Sequence, residues 1–356
     1  MKVIILSEGF HPNGQGGIET FTRTLSEFYN PNLNIITKKI KEKKIYKNTN
    51  VIEVGSNSKF FRGINKLFNK KILKFLVTRK IKKLGAQIVI CNHSEDVKLI
   101  EDLDVIKILV QHINFERYPS MFCYPKKNEE IVKKCLDYFI VLSPQGRKMF
   151  LNWFGNNKSE VKVIRHSSKI ELLEEKKEKN KKLIMIARIE NFHKRFDLAI
   201  KAMKKLPDFT LDIYGEEARE GEKAKLEKIM EENNISNVFF RGSTTKVQEK
   251  LDESGIFIMT SDFEGYGITN IAAMRRGLPI VLRNTFEAAE DIVIDNGVLL
   301  DKEWNEDKFV EAVRKVYDNY EYYSENSKKL GERHSPEVIK KEWDKLFKEI
   351  EIGKKY

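Results

Sequence analysis

Residues 256–281 read IFIMTSDFEGYGITNIAAMRRGLPIV, and this stretch decides the fold class that we predict. Its first four residues are apolar and predict a short buried strand, and a helix is expected from near Thr269. Between them lies a glycine-rich turn that carries Glu264. In α/β proteins such a turn lies at the carboxyl edge of a parallel sheet, where the helix N-terminus directs free N–H groups at an anion. The stretch predicts a ligand site, although an ordinary loop with a solvated glutamate fits it equally well.

The alternation of short apolar strand, turn and helix recurs along the whole chain. Strands are predicted at residues 2–6, 34–37, 51–54, 87–91, 106–110, 138–142, 183–187, 210–214, 238–241, 256–259 and 297–300, and a further one directly after residues 277–279. Such alternation is typical of doubly wound parallel sheets. A highly charged stretch over 170–182 separates two series of strands and is interpreted as a linker or exposed connection. We therefore expect an α/β fold with two Rossmann-like domains, 1–168 and 183–335, a linker at 169–182 and a closing helix at 336–356.

Composition narrows the class of protein. The chain has 356 residues, of which 41% are hydrophobic, which is ample for two packed cores. No apolar run approaches the roughly 18–20 residues that a membrane span needs. Cys91, Cys123 and Cys135 show no C-x-x-C spacing and leave an odd count. These cysteines favour a reducing cytoplasm, without a disulfide framework or a zinc site.

The net charge of +12 is placed unevenly. Residues 38–83 hold 16 basic and 2 acidic side chains. The net charge of this segment is therefore larger than that of the whole chain. Within them, residues 59–84 read KFFRGINKLFNKKILKFLVTRKIKKL and predict a basic amphipathic helix. The apolar stripe is expected to consist of Phe61, Ile64, Phe68, Ile72 and Phe75, and the opposite face of Lys66, Lys70 and Lys74.

Three explanations of this basic helix stay open. It can attach the protein to an anionic membrane surface, pack on the core with a solvated lysine face, or contact nucleic-acid phosphates. Nucleic acid is the least favoured, because no recognised binding module or aromatic platform accompanies the charge. We expect a cytoplasmic protein that lies peripherally on the inner face of the membrane, with no nucleic-acid partner.

Candidate ligand-binding side chains follow several predicted strands. Arg188 follows the strand at 183–187 and Lys194 lies six residues on, two cations suited to a diphosphate. Glu264 and the N–H groups from Gly267 to Thr269 follow a later strand of the same sheet. Parallel topology places all of these at one edge, so we expect them to act together.

Five motifs stand in an order that resembles a known family: GGIE at 16–19, ARIENFHKRFD at 187–197, LDIYGEE at 211–217, VFFRGS at 238–243 and EGYGITNIAAMRRGLPIV at 264–281. The whole chain resembles the GT-B glycosyltransferases of family 4, retaining enzymes that use nucleotide sugars. The resemblance is strongest over 183–300. It implies two Rossmann-like domains facing a cleft, with the C-terminal helix crossing back toward the first domain.

The resemblance also implies a role for each matching residue. Arg188 and Lys194 would hold the donor diphosphate, Glu264 would contact the transferred sugar, and His112 would lie near that sugar. The implied donor-binding residues are Gly16, Gly17, Gly242, Ser243, Gly267, Ile268 and Thr269. No metal or cofactor is implied, and the nucleotide sugar is the substrate.

One position departs from the family pattern. The second glutamate of the E-x7-E motif, which bonds the ribose hydroxyls, would stand at Ala272. Loss of such a charge-assisted hydrogen bond costs on the order of 1.5–3 kcal/mol and predicts weaker donor binding. Glu287 or Glu290 is a candidate substitute.

The sequence therefore predicts a retaining hexosyltransferase that uses a UDP- or GDP-sugar. The acceptor would be a glycan or a lipid-linked molecule of surface polysaccharide or glycoconjugate synthesis. Two alternatives are kept: a sugar-nucleotide epimerase or hydrolase of the same fold, and a non-catalytic GT-B subunit that binds a glycan or a partner transferase.

Overall fold

The computed structural model describes residues 1–11, 14, 16–38, 50–54, 71–115, 127–155 and 159–353. The chain divides into two compact units, Met1–Arg165 and His166–Tyr356, which we call the first and the second unit. Each unit is built around one parallel sheet.

The first unit contains a seven-stranded sheet in the order β3-β2-β1-β4-β5-β6-β7. Its strands are β1 (Val3–Ser7), β2 (Leu33–Thr37), β3 (Asn50–Glu53), β4 (Ile88–Cys91), β5 (Ile106–Val110), β6 (Tyr138–Val141) and β7 (Glu160–Val163). Its described helices are α1 (Gly17–Phe28), α2 (Lys71–Leu84), α3 (Ser94–Val97), α4 (Lys127–Cys135) and α5 (Pro144–Phe154). The sequence prediction missed β7, because this edge strand, EVKV, alternates charged and apolar residues instead of forming an apolar run.

The second unit contains a six-stranded parallel sheet in the order β10-β9-β8-β11-β12-β13. Its strands are β8 (Lys182–Ile186), β9 (Thr210–Tyr214), β10 (Val238–Gly242), β11 (Ile256–Met259), β12 (Ile280–Arg283) and β13 (Gly297–Leu300). Its helices are α6 (Asn191–Lys194), α7 (Phe196–Ala202), α8 (Glu222–Glu232), α9 (Val247–Asp252), α10 (Ile268–Arg275), α11 (Ala289–Ile292), α12 (Glu306–Asp318), α13 (Tyr320–Glu332) and α14 (Pro336–Gly353). The α/β class expected from the alternating pattern is confirmed in both units.

The core of each unit lies on both faces of its sheet. Every residue of β4, β11 and β12 is buried, as apolar runs covered by helices require.

In the second unit the chain also needs a glycine where β9 ends. A Cβ atom on Gly215 would lie 1.9 Å from the carbonyl oxygen of Ala187, so only glycine fits beside the end of β8.

Helix α2 covers the second half of the predicted basic amphipathic segment, and residues 59–70 lie outside the described residues. The predicted apolar stripe is wrong for this half, because the buried face consists of Leu73, Val77 and Ile81 at a spacing of four residues. Phe75 lies on the opposite face and is 62% exposed. Lys74 is paired with Glu101 and Asp102, each at 2.6 Å, rather than being free for an external partner.

The charged stretch 170–182 was expected to be a linker or exposed connection, and it has no helix or strand before Lys182 and is mostly exposed or half-buried, but buried contacts also anchor it. The N–H of Leu173 donates to the carbonyl oxygen of Arg275 at 2.8 Å. Lys177 is buried and its Nζ donates to the carbonyl oxygen of Leu251 at 2.9 Å. Burial lowers the pKa of Lys177 to about 8. The stretch is therefore fastened to the second unit by buried contacts that its composition conceals.

Helix α14 buries one apolar stripe, formed by Ile339, Trp343, Leu346, Phe347 and Ile350. The proposed crossing of this helix toward the first unit stays a prediction. Within the described ranges, no helix combines the length and the apolar character needed to cross a membrane.

Candidate functional site

The loops that follow β8 and β11 form the centre of the candidate site. These strands are 70 or so residues apart in the chain but are neighbours in the sheet, so their carboxyl ends lie side by side. Lys194 ends α6 in the first loop, and Glu264 lies in the second. The Nζ of Lys194 donates to Oε1 of Glu264 at 2.5 Å. The structure thus joins two of the four predicted catalytic residues in one ion pair.

Glu264 is held by a second donor from its own loop. The hydroxyl of Ser261 donates to Oε1 of Glu264 at 2.8 Å, so both bonds converge on one carboxylate oxygen. Ser261 is 2% exposed and Glu264 is 9% exposed. The carboxylate is therefore oriented by two fixed contacts, and neither of them uses Oε2.

Backbone contacts clamp the two loops together. The hydroxyl of Thr260 donates to the carbonyl oxygens of Lys194 and Arg195 at 3.1 and 2.9 Å. The N–H of Asp262 donates to the carbonyl oxygen of His193 at 2.9 Å. Arg195 has a left-handed backbone (φ 52°), which turns the chain between α6 and α7. Each loop therefore positions the other.

His193 adds an aromatic contact to this clamp. Its ring stacks on Phe263 with the centroids 3.8 Å apart, and its Nε2 donates to the carbonyl oxygen of the same residue at 2.5 Å. Burial, and after it the charge of Lys194, lowers the pKa of His193. The lowered pKa favours the neutral imidazole, whose proton lies on Nε2 because a carbonyl oxygen can only accept.

Asp262 joins two arginines beside the same loops. Its carboxylate accepts hydrogen bonds from Arg283 at 2.7 Å and from Arg195 at 3.2 Å. Burial alone would raise the pKa of Asp262, but these two arginines outweigh it and hold the pKa below its ordinary value. Arg283 also donates to the carbonyl oxygens of Thr260 and Lys302. The end of β12 is therefore tied to the loop that carries Glu264.

Helix α10 begins directly after this loop. Gly267 is its N-cap residue and has a left-handed backbone (φ 72°). The N–H groups of Ile268 and Thr269 have no acceptor within the helix, so they are available to an anion at this end. Asn270 is fully buried beneath the turn, and a Cβ atom on Gly267 would lie 2.4 Å from its Nδ2. Glycine is thus required at this position by both conformation and space.

Arg188 lies in the loop after β8, and Gly242 and Ser243 lie at the carboxyl end of β10 in the same sheet. Arg188 is exposed and forms no hydrogen bond or ion pair with any residue that the structure describes. Gly242 ends β10, three strand positions from β11, which corresponds to about 14 Å along the sheet edge. Arg188 and Glu264, predicted to bind the diphosphate and the sugar, and the predicted donor-binding residues Gly242 and Ser243 are therefore spread along one edge of the sheet, and the structure does not bring Arg188 into contact with Glu264.

The departure at position 272 lies on the inner side of α10. Ala272 is 4% exposed. Of the two candidate substitutes, Glu287 is buried, whereas Glu290 is exposed and accepts a hydrogen bond from Asn284 at 3.2 Å. Replacement of the missing glutamate by either one stays a prediction.

In the first unit, His112 follows the end of β5, as predicted. Its Nε2 lies 3.1 Å from Oδ1 of Asn92, and Nδ2 of Asn92 donates to the hydroxyl of Thr22 in α1 at 2.8 Å. Phe21 contacts the imidazole edge to face, with ring centroids 5.1 Å apart. This chain of contacts links His112 to the helix that begins at the glycine loop.

Gly16 and Gly17 cap and begin α1, which agrees with a loop that opens a helix. Glu19, in the first turn of α1, reaches back toward this loop. Its Oε2 lies only 2.4 Å from the point that a Cβ atom on Gly16 would occupy. The helix N-terminus is therefore approached by a carboxylate of the same chain, which the sequence prediction did not consider.

The prediction also missed Ser261, His193, Asp262 and Arg283. Ser261 was detectable in principle, because a serine three residues before a glutamate in a turn is well placed to bond it. Arg283 was not, because its contact with Asp262 depends on the strand order. In the ranges that the structure covers, no group of three or more His, Cys, Asp and Glu residues is placed to hold a metal ion.

The chain is similar to known glycosyl transferases. Residues 169–333 match the family model described as glycosyl transferases group 1. The chain is 30% identical over 165 residues to a poly(glycerol-phosphate) alpha-glucosyltransferase of Bacillus subtilis, a match that covers 43% of this chain and 24% of that protein. It is 32% identical over 164 residues to a poly(ribitol-phosphate) alpha-N-acetylglucosaminyltransferase of Staphylococcus aureus, covering 43% of this chain and 33% of that protein. The chain thus spans a quarter to a third of the length of these two relatives.

A solved structure matches over nearly the full length. The Anabaena protein HepE, crystallised with UDP-glucose, gives a TM-score of 0.80 at 14% identity, covering 98% of this chain and 100% of that chain. At this identity the likeness shows the fold alone, and the two-domain α/β fold of GT-B type is confirmed. The resemblance to glycosyltransferases drawn from the motifs is confirmed over residues 169–333, whereas family 4 and the retaining mechanism stay predictions. Residues 169–333 of this chain are thus similar to the glycosyl transferases of group 1.

Proposed function

We propose that this protein transfers a hexose from a UDP- or GDP-sugar to an acceptor hydroxyl with retention of configuration. The observation that carries the proposal is the Lys194–Glu264 pair, which is largely buried at a sheet edge where Arg188 is unpaired among the described residues. Two cations and a carboxylate at one edge match the two parts of a nucleotide sugar, its diphosphate and its hydroxyl-bearing ring.

The proposed chemistry is electrostatic. Arg188, Lys194 and the first N–H groups of α10 stabilise the diphosphate as it departs, because preorganised donors lower the energy of developing negative charge. Glu264 binds hydroxyls of the transferred sugar. The acceptor hydroxyl attacks the anomeric carbon from the same face as the leaving group, which preserves the configuration; the bond from that carbon to the diphosphate breaks, and the departing phosphate oxygen takes the hydroxyl proton. The two cations supply the charge that a metal supplies elsewhere, so we expect no cofactor.

The acceptor is proposed as a glycan or a lipid-linked molecule of surface polysaccharide or glycoconjugate synthesis. The Bacillus and Staphylococcus relatives support this choice, because their names give phosphate-containing polymers as acceptors. The donor is supported by HepE, whose structure contains UDP-glucose. The sugar that this chain transfers is to be found by mass spectrometry in a screen of UDP-, GDP- and dTDP-sugars.

The test of the assignment is turnover by single variants. Arg188→Ala and Glu264→Ala should each reduce transfer at least about a hundredfold, because each removes a charged contact made in the transition state. Near-normal transfer by both variants would refute the assignment. The non-catalytic alternative predicts that calorimetry detects no binding of any nucleotide sugar. The epimerase or hydrolase alternative predicts product without an acceptor.

We further propose that the protein works on the inner face of the membrane, with α2 as its contact. Lys71, Phe75, Arg79 and Lys82 are exposed and recur at a spacing of three to four residues, so they share one face of this helix. The three cations form no ion pair with any described residue. An exposed aromatic ring among unpaired cations suits a surface of anionic lipids.

Vesicle sedimentation tests this attachment. Vesicles of phosphatidylcholine with about 30% phosphatidylglycerol should retain the wild type and release the triple variant Lys71→Glu, Arg79→Glu and Lys82→Glu, because each cation contributes about 1 kcal/mol. The same charge reversal at Lys225, Lys228 and Lys246 of the second unit is the control. Equal binding of the α2 variant and the wild type would refute the attachment.

A further inference from the structure

The donor diphosphate and Glu264 compete for Lys194. The proposed reaction assigns this lysine to the diphosphate, whereas in the structure its Nζ lies 2.5 Å from Glu264. The lysine side chain is 13% exposed and the glutamate side chain 9%, so water replaces neither partner easily. Removing one member of such a pair leaves an uncompensated charge, which costs far more than at the surface. A diphosphate can recruit Lys194 only if something else stabilises Glu264.

Ser261 allows Glu264 to stay in place when the lysine leaves. Its hydroxyl donates to the same Oε1 from three residues earlier in the loop, and the residue is 2% exposed. This contact is local and does not depend on the loop after β8. The carboxylate therefore keeps its orientation, while Oε2 and the site vacated on Oε1 can accept hydrogen bonds from sugar hydroxyls.

Arg188 and Lys194 start from different states. Arg188 is exposed and has no partner among the described residues, so it is ready to meet a phosphate. Lys194 is engaged, but its ammonium group is a point charge on a flexible chain and can change partner by rotating side-chain bonds. In the free protein, the arginine is therefore available to a phosphate, whereas the lysine must first leave Glu264.

We propose that Lys194 exchanges between two anions, pairing with Glu264 in the free protein and moving to the diphosphate when a nucleotide sugar binds. The inference rests on the proposed function. A donor that carries its sugar compensates Glu264 with hydroxyl groups, whereas a bare nucleoside diphosphate does not. Recognition of the sugar and of the diphosphate is therefore coupled. When the nucleoside diphosphate product leaves without its sugar, Lys194 returns to Glu264.

The experiment measures the affinity for UDP and for GDP by isothermal titration calorimetry. Glu264→Gln keeps the shape of the side chain and releases Lys194, so it should bind the nucleotide about tenfold more tightly than the wild type. In a Lys194→Met background the same change should alter the affinity less than about twofold. Glu264→Asp withdraws the carboxylate by one methylene and should also tighten nucleotide binding. This variant replaces Glu264→Gln in the experiment if the glutamine variant does not fold.

Glu190→Gln is the matched control for the loss of one negative charge. Its Oε2 lies 3.7 Å from Nδ1 of His193. Its backbone carbonyl oxygen accepts from the N–H of Lys194, which the substitution keeps, but its carboxylate does not pair with the ammonium group of that lysine. If Glu190→Gln bound the nucleotide as much more tightly as Glu264→Gln does, the loss of one negative charge would explain both gains, and the exchange would be refuted. Unchanged or weaker nucleotide binding by Glu264→Gln would also overturn it. A wild type that binds neither UDP nor GDP would instead refute the proposed function and the inference with it.

Discussion

Replacement of Asp262 by asparagine tests whether the clamp around the Glu264 loop stabilises the second unit. The variant removes the negative charge that faces Arg283, whose side chain is 7% exposed, and Arg195, whose side chain is 31% exposed. A fully buried charge that loses its partner costs about 3–5 kcal/mol. Asp262 is itself 35% exposed, and solvent screening reduces the expected loss to about 2–3 kcal/mol.

Asp208→Asn is a closely matched control. Asp208 is 37% exposed and also accepts from two cations, Lys181 at 2.7 Å and Arg314 at 3.2 Å. Both of these partners are more than 40% exposed, so they regain water when the carboxylate is lost. We therefore expect a loss of less than about 1 kcal/mol.

Urea unfolding compares the two variants, with the transition of the second unit assigned by hydrogen exchange of peptides from β11. With a slope near 2 kcal/mol per molar, Asp262→Asn should lower the midpoint by about 1 M and Asp208→Asn by less than about 0.5 M. Because the folded pKa of Asp262 lies below its ordinary value, its contribution is complete above about pH 4 and is lost as the pH falls further. Equal midpoint shifts for the two variants at pH 7 would refute the reasoning.

Three further predictions concern single residues. Ser261→Ala should lower kcat about tenfold, because it disorients the carboxylate that reads the sugar, and should weaken UDP binding more than about twofold, because Glu264 then depends on Lys194 alone; an unchanged kcat would contradict this. Gly215→Ala should lower the free energy of unfolding by about 3 kcal/mol or prevent folding, since its Cβ atom would meet the carbonyl oxygen of Ala187 at 1.9 Å. Circular dichroism and urea unfolding measure this loss, and a variant as stable as the wild type would disprove the close approach. Burial lowers the pKa of His166 to about 4, so an NMR titration should show one imidazole, absent in His166→Asn, that stays neutral until that pH.

The short apolar runs determined most of the fold in advance. A strand whose side chains are apolar on both faces must be covered on both sides, which is why the runs predicted parallel sheets flanked by helices. The glycine-rich turn before α10 also predicted correctly where this helix begins. The structure explains why a glycine stands there, because the left-handed backbone and the buried Asn270 leave room only for Gly267. The buried face of helix α2 was less predictable, because the helix carries apolar residues on two faces. Which of them is buried depends on the elements that pack against the helix.

The sequence by itself also determined which residues follow each strand, and therefore that Arg188, Lys194 and Glu264 lie at one edge of a sheet. Only the tertiary structure decided that β8 and β11 are neighbours, since hydrogen bonding between strands 70 residues apart has no local signature. That adjacency turns two candidate residues into one ion pair and creates the contact between Asp262 and Arg283. Local propensity specifies the elements, whereas the pairing of charges across them depends on the order in which the strands assemble.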